Sequence, residues 1–526
     1  MDKKEALVVV QTQLSQAVRH KFDPNTGVKR GLKTRHISMM ALAGIVGPGV
    51  FIGMGSALRD GGPAGLIVGF TIVGVLVMIM MFCIGELNSL FDFNFNTHAS
   101  RWVDPSFGAA MGWYYVFLWV CSLIAEYVSV ISVMSFYSDK VPLWGYYLIL
   151  WGAFSIYQMV GVDIFGEVEY ILAFIKLLFI TGFYLFSVIY AAGGIKGHSP
   201  GNPFKNFPLN SGFKGIANSF VYAGVYYTGI ESLSVTFSEL RNVRAAVKNA
   251  VRQAVVRIFY VYFGIIISYG ITVPYTDPGL SGSNKTMKSP MTIALVDAGW
   301  KNAGFYVSTV VLITSLSSIN SAIYYPARSL KRLADDGYAP KVFSKVTTQG
   351  VPWVATHTVH LFGFLSILSI KSSSSVAYGY IINLAGLCAF IVWSGIIFVH
   401  LRFRAGWYKL GRTDDELPYK APFYPYANYI GIVLGIALTL VQGWSVFVPF
   451  NAGNFVDVYI MIPFFFIVWG GFKLYLKSLW IRYEHMDFVS DRQETDGVYT
   501  DVESLGSQST QEEKKESFAS KIWNSI

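Results

Sequence analysis

The chain has 526 residues, of which 53% are hydrophobic and only 14% are charged. Because soluble domains carry about 25% charged residues, this composition excludes a soluble globular protein and indicates a polytopic membrane protein. The net charge of +9 does not favour nucleic-acid binding, since the basic residues lie in short segments between apolar runs. The three cysteines also lie in apolar runs, which argues against a disulfide framework or a metal cluster.

Apolar runs of about 20 residues are long enough to cross a bilayer, and they recur along most of the chain. Residues 484–526 are instead rich in Asp, Glu, Ser, Gln and Thr, which is typical of a disordered tail. We predict an N-terminal tail over 1–35, a membrane domain over 36–480 and a C-terminal tail over 481–526. The twelve predicted spans, of which the fourth and ninth are the shortest, lie near 37–58, 64–91, 107–137, 143–162, 168–193, 216–238, 255–275, 305–333, 353–370, 376–401, 426–449 and 456–477.

The distribution of Lys and Arg predicts the orientation of these spans. Basic residues concentrate before the first span and in the loops 241–252, 331–345 and 402–412, which lie on one side if there are twelve spans. Because cytoplasmic loops carry an excess of Lys and Arg, we predict a multi-pass membrane protein with both termini cytoplasmic. The plasma membrane is the default location, and an internal membrane is the alternative.

The loop after the sixth span carries two parallel stripes. Arg244, Lys248 and Arg252 repeat every four residues, and valines repeat one position earlier from Val243 to Val255. At roughly 100° per residue, this pattern places a basic stripe beside an apolar stripe. It predicts a short helix on the inner membrane surface, with a plain cytoplasmic loop as the alternative.

The first span contains a helix-breaking sequence. Its stretch Ala41–Gly55 is apolar throughout, yet Gly47-Pro48-Gly49 lies at its centre. Proline lacks a backbone N–H, and glycine disfavours a helix by about 1 kcal/mol relative to alanine. Broken helix at membrane depth is tolerated where it is buried in protein or lines a cavity, so we predict an unwound segment facing a ligand. A glycine-rich helix kinked for close packing is the alternative. The predicted ligand-facing residues are Gly44, Ile45, Gly47 and Gly49.

The sixth span contains a second candidate break, because Gly224 and Gly229 bracket two tyrosines and a threonine. Two interrupted spans, each opening one half of the chain, indicate an inverted-repeat transporter with a site at the bilayer midplane. The N-terminus of a half-helix presents free N–H groups and a partial positive charge, which suits a carboxylate. The predicted fold is therefore an all-α membrane protein with twelve transmembrane helices and a LeuT-like 5+5 inverted-repeat core with discontinuous first and sixth helices.

Several short motifs follow one another in order between residues 30 and 480. They are Arg35-His36, Met40-Ala41, Glu167-Val168-Glu169 with Lys176, Gly229-Ile230-Glu231, Asn320-Ser321, Tyr324, Arg328, Asp336-Gly337, Arg402-Phe403-Arg404 and Glu416-Leu417-Pro418-Tyr419-Lys420. Together they resemble the yeast amino-acid transporter family of the amino acid–polyamine–organocation superfamily. The chain departs from that family at Pro48, where the family has Thr, and at Val225-Tyr226-Tyr227, where it has Phe-Ser-Phe. These departures leave the substrate open.

The resemblance implies proton-coupled transport of amino acids. In superfamily members without sodium dependence, a lysine of the fifth span takes the place of a sodium ion. The resemblance therefore assigns proton coupling to Lys176, with Ser317 and Ser318 as candidate hydroxyl partners. A lysine paired with a carboxylate for structural reasons is the alternative.

Ionisable side chains inside a bilayer cost roughly 2.5–3.5 kcal/mol on insertion scales and are candidates for function. By resemblance, Glu126 of the third span lies near the substrate, where it would hold an amino group or carry a proton; a structural hydrogen-bonded carboxyl is the alternative. Glu231 has either a proton-coupling or a scaffold role. Glu239 is either a gate residue or a solvated one, and Glu86 is read as a boundary residue.

We expect the substrate carboxylate at the first break and its ammonium group at carbonyls of the sixth span. Aromatic side chains at the second break would close over the substrate. The predicted contacts in the sixth span are Tyr222, Ala223, Val225, Tyr226 and Tyr227.

These observations predict a proton-coupled permease that imports amino acids across the plasma membrane by alternating access. A transporter-like amino-acid sensor and a carrier of another small ammonium compound, such as a polyamine or sulfonium amino acid, are the alternatives. The expected partners are the amino acid, H⁺ and the lipid bilayer, with ubiquitin-ligase adaptors as candidates at the cytoplasmic tails. No cofactor, metal or nucleic acid is expected. An enzyme is not expected either, because the sequence contains no nucleophile–base set.

Overall fold

The computed structural model describes residues 27–44, 46–91, 93–138, 140–201, 203–205, 208–240, 243–281, 289–370, 374–447, 449–490 and 492. Regular structure in these ranges is helical, apart from isolated β-bridges such as that between Leu32 and Leu240. The prediction of an all-α protein is confirmed.

The helices are short at the two predicted breaks and long elsewhere. In chain order they are α1 (Thr34–Met39), α2 (Gly49–Ile52), α3 (Met54–Leu90), α4 (Phe95–Trp102), α5 (Pro105–Tyr137), α6 (Leu143–Tyr157), α7 (Val162–Ala191), α8 (Gly212–Tyr227), α9 (Leu233–Thr236), α10 (Val243–Arg257), α11 (Gly264–Thr272), α12 (Pro290–Asp297), α13 (Ala303–Asp335), α14 (Trp353–Phe362), α15 (Ser374–Lys409), α16 (Tyr426–Val441), α17 (Ala452–Tyr459) and α18 (Met461–Leu476).

Within the described ranges, seven helical segments are long and apolar enough to cross a membrane, and the pair α17–α18, bent by 46°, adds an eighth. The other four predicted spans are the first, fourth, sixth and ninth. They correspond to shorter helices: α1 with α2, α6, α8 with α9, and α14. The count of twelve spans and the inverted repeat therefore stay predictions.

The first two predicted spans meet inside α3. Gly62 interrupts this helix with φ +66°, and Pro63 begins the part that follows. A side chain at Gly62 is also excluded sterically, because its Cβ would lie 2.7 Å from the carbonyl oxygen of Pro208. This turn falls in the gap that the sequence predicts between the spans.

The basic loop after the sixth span is helical, as α10, and a π-helical turn over Ile258–Phe263 joins it to α11. Val247 and Val251 are buried, and α10 packs against α1 and α3. The predicted helix is therefore present, and the alternative of a plain loop is wrong. Its apolar stripe faces the protein, and a position at the inner membrane surface stays a prediction. A hydrophobic stripe predicts that a helix face is buried, but it does not distinguish burial in lipid from burial in protein.

Helix packing brings the two interrupted regions together. The helix α5 packs along α13, and α3 packs along α8, while α15 contacts both α5 and α8. The π-helical turn Met40–Gly44 that follows α1 packs against α7. The unwound segments thus lie beside the long helices α5, α7, α13 and α15.

Candidate functional site

The break predicted in the first span is present. After the π-helical turn Met40–Gly44 the chain is not helical over Val46–Pro48, and α2 begins at Gly49. Ile45 lies outside the described residues. The alternative of a continuous, kinked helix is wrong. The first N–H groups of a helix have no partner within the helix, so the start of α2 supplies donors at this break.

The sixth span is also broken, but later than predicted. The helix α8 is regular through Tyr227, and the chain leaves helical geometry over Thr228–Ser232, where Gly229 has φ +100°. The predicted break within Tyr222–Tyr227 is wrong. Gly224 has a packing role instead, because a Cβ there would lie 2.9 Å from Cζ of Phe390.

A cavity lies between the two breaks. Its walls come from the first span, α5, the end of α8, α13 and α15, so it is enclosed by both broken spans and three long helices. The lining residues are Gly47, Gly49, Val50, Trp119, Ser122, Ala125, Glu126, Val225, Tyr226, Thr228, Ser318, Ser321, Ala322, Ile382 and Ala385.

A carboxylate and a hydroxyl face the first break. A Cβ at Gly47 would lie 2.9 Å from Oε1 of Glu126 and 3.0 Å from Oγ of Ser318. Oε2 of Glu126 and Oγ of Ser318 are buried, and the described residues offer neither a hydrogen-bond partner. Because unpaired buried polar atoms cost about 1–3 kcal/mol each, these two atoms are suited to a polar ligand.

Tyr226 covers the same break from the other side. A Cβ at Gly49 would lie 2.5 Å from Cε1 of Tyr226, and one at Gly53 would lie 2.1 Å from its hydroxyl oxygen. The two glycines therefore provide the space in which this ring lies. Tyr227 points elsewhere: its hydroxyl donates to the carbonyl of Phe70 at 3.2 Å, and it does not line the cavity.

Tyr222 and Ala223 lie one turn earlier on α8, also outside the cavity wall. Regular α-helix geometry engages their carbonyls with N–H groups four residues on. The carbonyls at the end of α8 are also engaged: those of Gly224 and Val225 accept the N–H of Thr228 at 3.2 Å, and that of Tyr226 accepts the Tyr262 hydroxyl. In this last turn, Val225 and Tyr226 line the cavity. The predicted ammonium contacts are corrected accordingly.

Lys176 lies behind the first break and is fully buried. Its Nζ donates to Oγ of Ser317 at 2.8 Å and lies 3.5 Å from the carbonyl oxygen of Ala43 in the π-helical turn. The predicted pairing of Lys176 with Ser317 is thus present, whereas Ser318 faces the cavity. The lysine joins the end of the first half-helix to α13.

Glu231 belongs to the second break and does not line the cavity. Both of its carboxylate oxygens accept the N–H of Gly229 at 3.0 Å, and Nε1 of Trp393 donates to Oε2 at 3.0 Å. The hydroxyl of Ser232 donates to the carbonyl of Gly229. This geometry matches the scaffold alternative for Glu231.

A model of the amino acid permease family matches residues 36–485. The chain belongs to the amino acid permease family. The permease is 59% identical to an uncharacterized amino-acid permease of Schizosaccharomyces pombe, over 95% of this chain and 93% of that protein. It is 42% identical to the general amino acid permease AGP3 of Saccharomyces cerevisiae, over 87% of this chain and 83% of that protein. These relatives are transporters, and the family resemblance of the motifs is confirmed.

A crystal structure of a manganese transporter from Eremococcus coleocola has a similar fold. The TM-score is 0.54 at 14% identity, covering 84% of the permease and 93% of that chain. The similarity supports a transporter fold of the LeuT type. No group of metal-ligating side chains occurs among the residues that the structure describes.

Two further acidic residues of the permease are buried in the protein. Glu239 is buried and accepts hydrogen bonds from the Tyr324 hydroxyl and from Nε of Arg328 at 3.1 Å, so the solvated alternative is wrong. Glu86 is also buried, with His400 Nε2 and Arg404 Nη1 at 3.2 and 3.4 Å from its Oε1. It lies near the end of α3, and its position at the membrane boundary stays a prediction.

Sequence reasoning missed several residues that line the cavity or support it. Trp119, Ser122 and Ser321 lie on spans where they resemble ordinary packing residues, so no local signal marks them. Glu169 did carry a signal, because it precedes Lys176 by seven residues and therefore shares its helix face. Arg257 carried one too, as a cation inside a predicted span.

Arg257 is fully buried and supports the end of α8. Its Nε and Nη2 donate to the Tyr262 hydroxyl at 3.0 and 2.6 Å, and that hydroxyl donates to the carbonyl of Tyr226. A cation near the C-terminus of a helix is favourable because the helix dipole is negative there. Arg257 thereby fixes the backbone of the residue that covers the cavity.

Proposed function

We propose that the permease imports amino acids across the plasma membrane by alternating access, coupled to inward movement of protons. The observation that carries this proposal is the cavity between the two helix breaks, which contains a carboxylate oxygen and a hydroxyl that no described residue pairs. An amino acid has the complementary groups: an ammonium donor and a carboxylate acceptor on one carbon.

The substrate carboxylate would bind N–H groups at the start of α2, next to Gly47 and Gly49. Its ammonium group would bind Glu126, and the second lone pair of a carbonyl at the end of α8 would be a further acceptor. The substrate side chain would then extend toward Trp119 and Ile382, on the far cavity wall. Because the cavity lining combines apolar and hydroxyl side chains, we propose that the permease accepts a broad range of neutral amino acids.

Alternating access needs a gate on each side of the substrate. In this proposal, Tyr226 closes the substrate site toward the outside. The cytoplasmic gate consists of Glu239, Tyr324 and Arg328. The backbone N–H of Leu32 donates to the carbonyl of Glu239 at 3.1 Å, which ties the N-terminal segment to this gate. We further propose twelve spans, an inverted repeat, and cytoplasmic tails over 1–35 and 481–526.

Proton coupling is assigned to Lys176. Its ammonium group bridges the end of the first half-helix and Ser317 of α13. Loss of its proton would weaken this bridge and free the half-helix to move. The protonation state of one side chain would thus be linked to the conformation of the substrate site.

The test is uptake of a panel of radiolabelled amino acids by proteoliposomes, with and without an inward proton gradient. The unmodified permease is expected to accumulate one class of amino acid only with the gradient, and Lys176→Ala is expected to lose that accumulation. Accumulation that survives in Lys176→Ala removes the lysine from the mechanism. No uptake of any amino acid by folded protein overturns the transport proposal and favours a sensor or another ammonium substrate.

A further inference from the structure

A continuous hydrogen-bonded chain joins Lys176 to a second carboxylate. Nζ of Lys176 donates to Oγ of Ser317 at 2.8 Å, and the same hydroxyl donates to Oε2 of Glu169 at 2.7 Å. All three side chains are fully buried. One hydroxyl therefore separates a buried ammonium group from a buried carboxylate.

Glu169 is held in place by two further polar side chains. Nδ2 of Asn320 donates to Oε1 of Glu169 at 2.6 Å, and Nε2 of Gln158 donates to Oδ1 of Asn320 at 2.6 Å. Each Glu169 oxygen thus accepts a hydrogen bond, as an ionised carboxylate does. The amides fix Oε1, which leaves Oε2, on the Ser317 side, as the oxygen that can take a proton.

The neighbouring charges do not by themselves decide whether Lys176 or Glu169 holds the proton. Lys176 also faces Glu126 from α5 and Arg257 from α10, whose charges act on it with opposite signs. Glu169 faces two tyrosines, Tyr157 from α6 and Tyr325 from α13. The desolvation cost of two buried ions offsets much of their attraction, so the neutral form of the pair is an accessible state.

We propose that Glu169 accepts the coupling proton from Lys176 through the Ser317 hydroxyl; this inference rests on the proposed proton coupling. One N–H bond of the ammonium group breaks as the Ser317 oxygen takes that proton. The hydroxyl proton passes at the same time to Oε2 of Glu169, forming a carboxylic acid. The products are a neutral amine and a neutral acid, and no further reactant is needed.

The direction of this transfer suits release to the cytoplasm. Glu169 precedes Lys176 by seven residues, or about 10 Å along a helix, and so lies nearer the start of α7. That end of α7 contacts the basic N-terminal segment, through pairs of Asp163 with Lys29 and of Glu167 with Arg35. A neutral Lys176 also loses its charge-assisted hold on the carbonyl of Ala43.

The test compares two transport modes in proteoliposomes. Net uptake driven by a pH gradient requires Lys176 to lose its proton, whereas exchange of internal for external amino acid does not. The variants are Ser317→Ala and Glu169→Gln, which interrupt the chain, and Ser317→Thr, which keeps a hydroxyl. Ser308→Ala is the matched control, because Ser308 is a buried serine of α13 that does not belong to the hydrogen-bonded chain.

We expect Ser317→Ala and Glu169→Gln to lower gradient-driven uptake by at least about 100-fold, the usual scale of a proton-transfer contribution. Exchange should persist in both. Ser317→Thr should retain more gradient-driven uptake than Ser317→Ala because it keeps the hydroxyl, and Ser308→Ala should resemble the unmodified permease. Gradient-driven uptake by both interrupted variants overturns the relay, as does equal loss of uptake and exchange. An unmodified permease without gradient-driven uptake would instead overturn the proposed coupling itself.

Discussion

The two helix breaks differ in how their polar groups are satisfied. At the second break, the described residues supply the partners: Glu231 binds the N–H of Gly229, and Ser232 binds its carbonyl. At the first break, Glu126 and Ser318 face Gly47 with buried atoms that no described residue pairs. The comparison supports our proposal that the second break is a preformed support and that a ligand completes the first.

The largest expected effect comes from a methyl group at the first break. Gly49→Ala places a Cβ 2.5 Å from the ring of Tyr226, so either the ring or the start of α2 must move. A displacement of about 1 Å at a binding site can cost 100-fold, and we expect a loss of uptake of that size. Gly182→Ala is the control, because a Cβ there meets nothing within 4 Å. Normal uptake by Gly49→Ala would contradict the placement of the substrate.

Removal of the cavity carboxylate should give the next largest effect. Hydrogen bonds to charged groups contribute about 1.5–3 kcal/mol, so Glu126→Gln should raise KM for uptake by roughly 10- to 100-fold. Asp415→Asn changes a carboxylate whose side chain is 96% exposed and should leave KM unchanged. Kinetics at a series of substrate concentrations measure both values. An unchanged KM in Glu126→Gln would remove this carboxylate from the site.

A change at the second break should act on stability more than on binding. Trp393→Phe removes the indole donor to Glu231, and we expect it to lower the free energy of unfolding by about 1.5–3 kcal/mol. Thermal unfolding in detergent measures this loss. KM should change less than in Glu126→Gln; a larger change in KM would mean that both breaks bind the substrate directly.

The smallest effect is expected for Ser232→Ala. This change removes one neutral hydrogen bond, to the carbonyl of Gly229, and should cost about 0.5–1.5 kcal/mol of stability. Uptake at saturating substrate should stay close to that of the unmodified permease. A severe loss of transport without loss of stability would show that the second break moves during the cycle.

The sequence was informative where chemistry is local. Gly47-Pro48-Gly49 predicts the first break because proline and glycine act on their own backbone. The contact of Lys176 with Ser317 is not local, and only the family resemblance predicts it. The position predicted for the second break was wrong because the span contains two glycines, and either could interrupt the helix. Gly229 has the left-handed φ, whereas Gly224 makes room for Phe390 on α15, and only tertiary packing distinguishes them.

The sequence also did not predict which residues are buried by segments far away along the chain. Glu86 lies near the end of its predicted span, but Ala421, more than 300 residues later, donates its N–H to the carboxylate at 2.6 Å. The cavity wall at Trp119 and Ser122 likewise depends on how α5 packs against the broken spans. Such residues carry no local pattern that separates a binding wall from a packed core.

The most direct test of the substrate site is protection of a single position from chemical labelling. Ser318→Cys places a thiol on the cavity wall, and the three native cysteines are buried. We predict that a transported amino acid slows labelling of Ser318→Cys by a small thiol reagent, and that labelling of Ser199→Cys, at an exposed position, is unaffected. Equal labelling of Ser318→Cys with and without saturating substrate would contradict a substrate site between the two helix breaks.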